Sequence, residues 1–404
     1  MGFTVTRAAC FGAAILILGL AASRAAGGSG GQTGVEPGRE STALEALDLG
    51  FKFASAIETD PKGKGGAQTG IILAYLKRGE LEAAMRKAAS VEGWWRGVAL
   101  AEVAVKLAAD GRDDEAREFI RRAEEVRSTV DGWESPRISS HVAHAHALLG
   151  DLERTREAAK KVAEEDPREY TGQAVAAVAE SHAERGNYDK AMAELAVLEG
   201  DGELLTAWWR TSGYLAIGRK RDFTDEQRLA ALEAAKSAAA AVPGWQRVDA
   251  LRLVAEELHA MGQHAAAVET LDEAESIFGP AEGESARPPT LLSELASSWT
   301  RVGEQDRARA LLEEAERSTR RLPVIDQPGL DSRIAIAYME LGDEAAGGRT
   351  LDIAIERAAK LTNARPRALA VVEICRQIGL FGLALSDRDR KRLDALFAGL
   401  RAPW

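Results

Sequence analysis

The sequence is poor in cysteine, in aromatic residues and in long apolar runs. It has two cysteines, Cys10 and Cys375, too few for a fold held together by several disulfide bonds. Aromatic residues make up 5% of the chain, which disfavours a sugar-binding cleft lined with stacking rings. The longest apolar run, Ala8–Ala22, is shorter than the roughly 20 residues that a membrane-spanning helix needs.

The remaining composition favours an all-α protein. The alternation of apolar and polar residues that is typical of β-strands is absent, and Ala, Leu, Glu and Arg dominate the 404 residues. This length is enough to bury a large core. The formal net charge of −11 disfavours binding to nucleic acid or to anionic membrane surfaces.

The N-terminus has the three parts of a secretory signal. Arg7 precedes the apolar run, and the small residues around Arg24 follow it. We therefore predict a signal peptide over residues 1–26 and a protein exported to the periplasm or out of the cell, with an uncleaved membrane anchor as the alternative. Without this segment Cys375 is the sole cysteine, so no internal disulfide can form in a monomer.

Residues 27–41 are rich in glycine and show no periodicity. We interpret them as a flexible linker between the signal and a folded body over residues 42–404. A first helix is expected at about 42–58, since Ser41 or Thr42 can cap its N-terminus.

Glycine recurs through the body at intervals of 32 to 44 residues, the range typical of helical solenoids. Eight residues before this glycine stands an aliphatic residue in eight of nine segments, and alanine recurs seven before, five after and twelve after it. The nine glycines are Gly79, Gly111, Gly150, Gly186, Gly218, Gly262, Gly303, Gly342 and Gly379.

This pattern describes a hairpin of two helices. The aliphatic position and the position four before the glycine share one face of the first helix. The alanines permit close helix approach, and the glycine can take a left-handed conformation that ends the first helix. One hairpin cannot bury both of its faces, so neighbouring hairpins are expected to stack.

The same spacings resemble the tetratricopeptide repeat family over about residues 62–385. The resemblance implies an α-solenoid of about nine helix-turn-helix repeats with capping helices at its N- and C-terminal ends. The fifth repeat departs most from the pattern, with Arg210 at the aliphatic position and Phe223 at an alanine position, so we expect a distortion near residues 218–226.

A second signature places tryptophan after glycine at three repeat entries. The pairs are Gly93-Trp94, Gly132-Trp133 and Gly244-Trp245. We expect each glycine to close one repeat and each tryptophan to pack at the start of the next, although a ligand-stacking role is the alternative.

The sequence offers no complete catalytic or metal-binding motif. His141, His144 and His146 form a short histidine run, but a helix places only the first two on one face, and no cysteine or carboxylate stands nearby at ligand spacing. The glycines of residues 63–66 lack the spacing of a phosphate-binding loop. We therefore predict no enzyme activity, no cofactor and no metal.

The resemblance places the first helix of each repeat on a concave surface. Arginine there would pair with carboxylates, tryptophan would stack, and the polar stripe 252–256–259 lies on one helix face. The predicted groove residues are Arg137, His144, Glu180, Trp208, Arg252, Glu256, His259, Glu373 and Arg376.

These observations favour an exported, non-catalytic scaffold that binds a protein or peptide partner through its concave surface. Two alternatives remain at this stage. One is an (α/α)-toroid enzyme acting on a polysaccharide, and the other is a structural or dimerising solenoid. The sequence indicates neither the partner nor the oligomeric state.

Overall fold

The computed structural model describes residues 37–58, 60–165, 171–198, 204–277 and 287–401. Within these ranges all regular secondary structure is helical, which confirms the all-α prediction. The predicted signal peptide and residues 27–36 of the predicted linker lie outside the described residues.

The described residues contain nineteen helices. They are α1 (Pro37–Ser55), α2 (Pro61–Lys77), α3 (Leu81–Ala89), α4 (Trp94–Ala109), α5 (Asp113–Arg127), α6 (Glu134–Leu148), α7 (Leu152–Glu165), α8 (Thr171–Glu184), α9 (Tyr188–Ala196), α10 (Leu204–Gly218), α11 (Asp225–Ala239), α12 (Gly244–Ala260), α13 (His264–Ser276), α14 (Pro289–Val302), α15 (Gln305–Thr319), α16 (Gln327–Glu340), α17 (Glu344–Lys360), α18 (Ala364–Phe381) and α19 (Asp387–Ala398). No helix of the described residues is both long and apolar enough to span a bilayer.

Helix α1 begins earlier than the sequence predicted. It starts at Pro37, so the last residues of the predicted linker are helical. Proline is well accommodated in a first helical turn, where its missing N–H has no intrahelical partner to lose.

The described chain forms two compact units. Unit 1 contains residues 76–250, and unit 2 contains residues 37–75 together with 251–401. In unit 1 the helix pairs α4–α5, α6–α7 and α10–α11 pack as hairpins, and so do α14–α15 and α16–α17 in unit 2. The first helices of successive hairpins also pack on one another, as α4–α6–α8–α10 do in unit 1 and α14–α16–α18 in unit 2.

The repeated small and aliphatic residues form the core between these helices. Val103, Ala104, Ala116 and Ala123, which occupy the four recurrent positions of one repeat, are all completely buried. Leu295, Ala296, Ala308 and Ala315 are buried at the same positions of a later repeat. The helical-repeat prediction is therefore confirmed at the level of packing.

Glycine ends the first helix of most hairpins in a left-handed conformation. Gly342 has φ +84°; its N–H donates to the carbonyl of Met339, and the next N–H donates to that of Tyr338. This pair of bonds satisfies carbonyls that the ending helix would leave unpaired. Gly93, Gly132 and Gly244 also have positive φ, which confirms the turns predicted before the three tryptophans.

Two of the nine repeat glycines behave differently from the prediction. Gly218 is the last residue of α10 rather than a left-handed turn residue, and α11 begins after Thr224, whose side chain forms a capping box with Gln227. Gly379 lies inside α18, and Gly382 makes the left-handed turn instead, with φ +75°. The last turn was therefore predicted three residues too early.

Within unit 2 the first described helix packs against one of the last. Helix α1 packs against α18, and the contact is so close that a Cβ added at Gly379 would lie 2.3 Å from Leu47. A Cβ added at Gly50 would likewise lie 3.0 Å from Cβ of Cys375. The first helix therefore covers the apolar face of the last repeat.

Candidate functional site

A cleft opens in unit 1 between α6, α8 and α10. Its polar and aromatic lining consists of His144, Gln173, Glu180, Trp209 and Ser212. The rest of the lining is small, with Ala176, Ala177, Gly213 and Ala216 on α8 and α10, and Arg219 stands just beyond the end of α10. The cavity volume of the cleft is about 40 Å³, well below the roughly 300–1,000 Å³ of pockets that enclose a drug-sized ligand.

His144 and Glu180 form an ion pair in this cleft. Nε2 of His144 lies 2.9 Å from Oε2 of Glu180, and both side chains are about nine-tenths buried. Burial alone would lower the pKa of His144, but the carboxylate of Glu180, assisted by Glu102 and Glu184, outweighs burial and raises this pKa above its ordinary value. The carboxylate of Glu180 therefore favours the charged form of this imidazole.

A second imidazole and carboxylate lie one helical turn away. Nδ1 of His141 on α6 is 2.8 Å from Oε1 of Glu102 on α4, and Glu102 is 1% exposed. Its other oxygen, Oε2, has no hydrogen-bond partner among the described residues. Helices α4, α6 and α8 are thus joined by two buried carboxylate–imidazole contacts.

The cleft also contains polar atoms without partners among the described residues. These atoms are Oγ of Ser212, which is 3% exposed, and Nδ1 of His144. A buried polar group that lacks a hydrogen bond costs free energy. A bound ligand that supplied the missing partners would remove this cost, although buried side-chain atoms without partners also occur outside the cleft, as at Ser181 and Trp299.

The predicted groove residues of unit 2 are instead bonded to one another. Oε1 of Glu256 accepts hydrogen bonds from Nη1 of Arg252 at 3.0 Å and from Oγ of Ser298 at 2.5 Å. It also accepts one from Nη1 of Arg301 at 2.6 Å. Arg252 and Glu256 therefore come together as the sequence indicated, but as a bridge between α12 and α14.

Glu373 and Arg376 form a similar bridge on α18. Arg376 donates to both oxygens of Glu373 at 2.7 and 2.8 Å, and Nε of Arg333 on α16 lies 2.9 Å from the same carboxylate. Burial opposes ionisation of Glu373, but the two arginines more than compensate, so its pKa lies well below its usual range. These charges are already neutralised within unit 2.

The remaining predicted groove residues lie elsewhere. Arg137 stacks over Trp94 and Trp133, with its guanidinium carbon 5.6 and 5.3 Å from the ring centres. Trp208 is 2% exposed and packs in the core of unit 1. His259 lies against His264 across the α12–α13 turn, with ring centres 5.7 Å apart.

Four polar or aromatic residues that line the cleft were not among the predicted groove residues, namely Gln173, Trp209, Ser212 and Arg219. Ser212 could have been found, because it stands six residues before its repeat glycine, as do His144 and Glu180. The neighbouring Trp208 was predicted instead of Trp209, but its side chain is 2% exposed in the core. Trp209 lines the cleft and stands nine residues before its repeat glycine, as the lining residue Ala177 does. Among the described residues, no group of three metal-ligating side chains is close enough to hold a metal ion.

Comparison with known proteins adds little to this description. No protein-family model matches the sequence, and no curated protein matches it. Among solved structures the chain is similar to the crystal structure of Ton1535 from Thermococcus onnurineus NA1, at 16% identity, covering 82% of this chain and 99% of that chain with a TM-score of 0.28. A TM-score this low does not assign a fold, so the fold rests on the helices themselves.

Proposed function

We propose that the protein is a helical-repeat scaffold that binds a segment of another polypeptide in the cleft of unit 1, without catalysing a reaction. The observation that carries this proposal is the cleft itself, with its aromatic wall at Trp209 and its unpartnered buried Oγ of Ser212. Aromatic rings in partly desolvated pockets are typical anchors of protein–protein contacts.

The position of the cleft supports a polypeptide ligand. Its residues come from three first helices in a row, α6, α8 and α10. Helical-repeat proteins bind extended segments along such rows, since each repeat adds a similar surface to the next. The carboxylates at the corresponding positions are paired in both units, Glu180 with His144 and Glu256 with Arg252. We assign binding to unit 1 because the cleft lies there.

The proposal is tested by selecting peptides from a displayed random library on the purified protein. Enriched peptides are then measured by fluorescence anisotropy against the wild type and Ala216→Leu, which fills the cleft from α10. We expect at least about a tenfold loss of affinity, because the larger side chain occupies the space of the ligand.

Ala260→Leu is the matched control. Ala260 stands two residues before its repeat glycine, as Ala216 does, but it is exposed on α12 and does not line the cleft. Failure to enrich any peptide, or equal affinity of the enriched peptides for both variants, would contradict the proposal.

We also propose that the protein acts in the periplasm or outside the cell. The support is the basic start, short apolar core and small-residue end of residues 1–26. Expression with this segment should yield a product that begins near residue 26 or 27, as read by N-terminal sequencing. A product that retains residues 1–26 would favour the uncleaved anchor.

A further inference from the structure

A second surface of unit 1 carries three tryptophans where α4 and α6 begin. Trp94 and Trp95 stack on each other with ring centres 4.1 Å apart, and Trp133 meets Trp94 edge to face at 5.3 Å. We infer that this surface, here named the tryptophan corner, binds an arginine side chain from a basic segment of another polypeptide. None of the three residues lines the cleft, so this inference is independent of the proposed function.

Trp133 is the part of the tryptophan corner that a partner can reach. It is 46% exposed, whereas Trp94 and Trp95 are half-buried. A single exposed apolar residue is ordinary on a protein surface, but this ring continues a half-buried pair into one aromatic surface. Tryptophan is also among the residues that are enriched in protein interfaces.

The tryptophan corner already holds one guanidinium group of this chain. The guanidinium carbon of Arg137 lies 5.6 Å from the ring centre of Trp94 and 5.3 Å from that of Trp133. Both distances are within the roughly 6 Å of an attractive cation–π contact. The rings are therefore placed to receive a planar cation, and the exposed part of Trp133 is open to a second one.

Carboxylates on both sides of Trp133 favour a cation over an anion. Asp131 stands two residues before it and Glu134 directly after it. Oε2 of Glu134 lies 3.8 Å from where a Cβ of Gly132 would stand, so this carboxylate folds back toward the turn. Neither carboxylate forms an ion pair or hydrogen bond through its oxygens among the described residues. Their two charges exceed the one charge of Arg137, so a cation is attracted and a carboxylate is repelled.

The strength of such a contact favours a polypeptide with several arginines over a free amino acid. A cation on an exposed ring gains only about two- to fivefold in affinity. A basic segment gains in addition from the net charge of −11 of the chain, which attracts positive charge from a distance. The tryptophan corner then determines where on the surface the segment binds.

The test titrates the full chain with the N-acetylated amide of tri-arginine and follows the tryptophan indole N–H signals by NMR. The signal of Trp133 is identified as the one that Trp133→Leu removes. We expect tri-arginine to shift this signal with a dissociation constant in the millimolar range. The corresponding tri-citrulline peptide, which has a similar shape without the charge, should bind at least about threefold more weakly.

Trp133→Leu should weaken the binding of tri-arginine by about two- to fivefold, because leucine keeps an apolar side chain but has no aromatic ring. The indole signals of Trp94 and Trp95 report binding in this variant. Thermal melting establishes that the fold is retained.

The double variant Asp131→Asn/Glu134→Gln should weaken binding by a similar factor while it keeps all three rings. Asp113→Asn/Glu344→Gln is the matched control. It also removes two exposed carboxylates, which stand at the first positions of α5 and α17, and it should leave the affinity nearly unchanged.

Three results would overturn the inference. The first is equal binding of tri-arginine and tri-citrulline. The second is an equal loss of affinity in the two double variants, which would show attraction to the acidic chain as a whole. The third is a shift of the Trp133 signal by maltotriose at lower concentrations than by tri-arginine, which would assign the tryptophan corner to a sugar.

Discussion

His146 and His144 stand two residues apart on α6 and respond to pH in opposite ways. His146 is buried without an acidic neighbour strong enough to compensate, and burial lowers its pKa to about 4. His144 has Glu180 beside it, and its pKa is raised. The environment of each imidazole, and not its place in the histidine run, decides its charge.

This difference predicts a loss of stability in acid. The unfolded chain protonates His146 near its ordinary pKa of about 6.5, whereas the folded chain resists protonation until about pH 4. Stability from this residue is therefore complete above about pH 6.5 and falls as the pH drops toward 4, by about 3 kcal/mol. Urea unfolding at a series of pH values measures this loss.

His146→Leu should remove most of that acid-dependent loss, because leucine occupies the same repeat position at Leu107 and does not titrate. His144→Gln should change the free energy of unfolding in a different pH range. Because its pKa is raised, His144 stabilises the fold fully below about pH 6.5, and this contribution is lost as the pH rises through the folded-state pKa. His144→Gln should therefore reduce the change of the free energy of unfolding with pH above about pH 6.5. An acid profile unchanged by His146→Leu would contradict the assignment.

In the hairpin of α16 and α17, the turn depends on the left-handed conformation of one glycine, Gly342. Gly342 adopts φ +84°, and a Cβ there would meet no atom within 4 Å. Substitution by alanine is thus opposed by backbone strain alone. We expect Gly342→Ala to lower the free energy of unfolding by about 1–2 kcal/mol.

Gly348→Ala, in the same hairpin, should change the free energy of unfolding in the opposite direction. Gly348 lies within α17, where a Cβ also meets nothing within 4 Å and φ is not left-handed. Alanine there should raise the free energy of unfolding by about 0.5–1 kcal/mol, because glycine is a poor helix former. Urea titration measures both changes in the free energy of unfolding. If the two substitutions changed it in the same direction, strain at the positive φ of Gly342 would not explain the effect.

The hairpins could be predicted from the sequence, because the residues that specify each one lie close together in the chain. Val103, Ala104 and Gly111 lie within nine residues of one another and fix the helix face, the close contact and the turn. The exception at Gly379 has a non-local cause. Leu47 of α1 lies where a side chain at 379 would go, so Gly379 provides a close helix contact, and Gly382 turns the chain instead.

The division of the described chain into two units was not evident in the sequence. The glycine spacing runs through residues 79–379 without a break, and nothing in the local pattern marks the boundaries near residues 75 and 250. The placement of α1 against α18 was equally hidden, since it depends on the fit of Leu47 and Gly50 to residues more than 300 positions away.

The contact between α1 and α18 predicts that two substitutions there have non-additive effects on stability. Gly379→Ala alone should lower the free energy of unfolding by about 1–2 kcal/mol, because its methyl group collides with Leu47. In a Leu47→Ala background the same change should be neutral or stabilising, since the space is vacant and alanine is the better helix former. The double-mutant cycle is measured by urea unfolding, and additive effects would contradict the packing.

Synthesis from the N-terminus imposes an order of assembly on this arrangement. Among the described helices α1 is synthesised first, and its docking site on α18 is synthesised more than 300 residues later. At a synthesis rate of roughly 5–20 residues per second, α18 follows α1 after a delay on the order of tens of seconds. During this delay Leu47 and its neighbours lack the surface that covers them in the folded protein. The described residues of unit 1 are synthesised before then, so the first of the described helices is among the last to reach its native contacts.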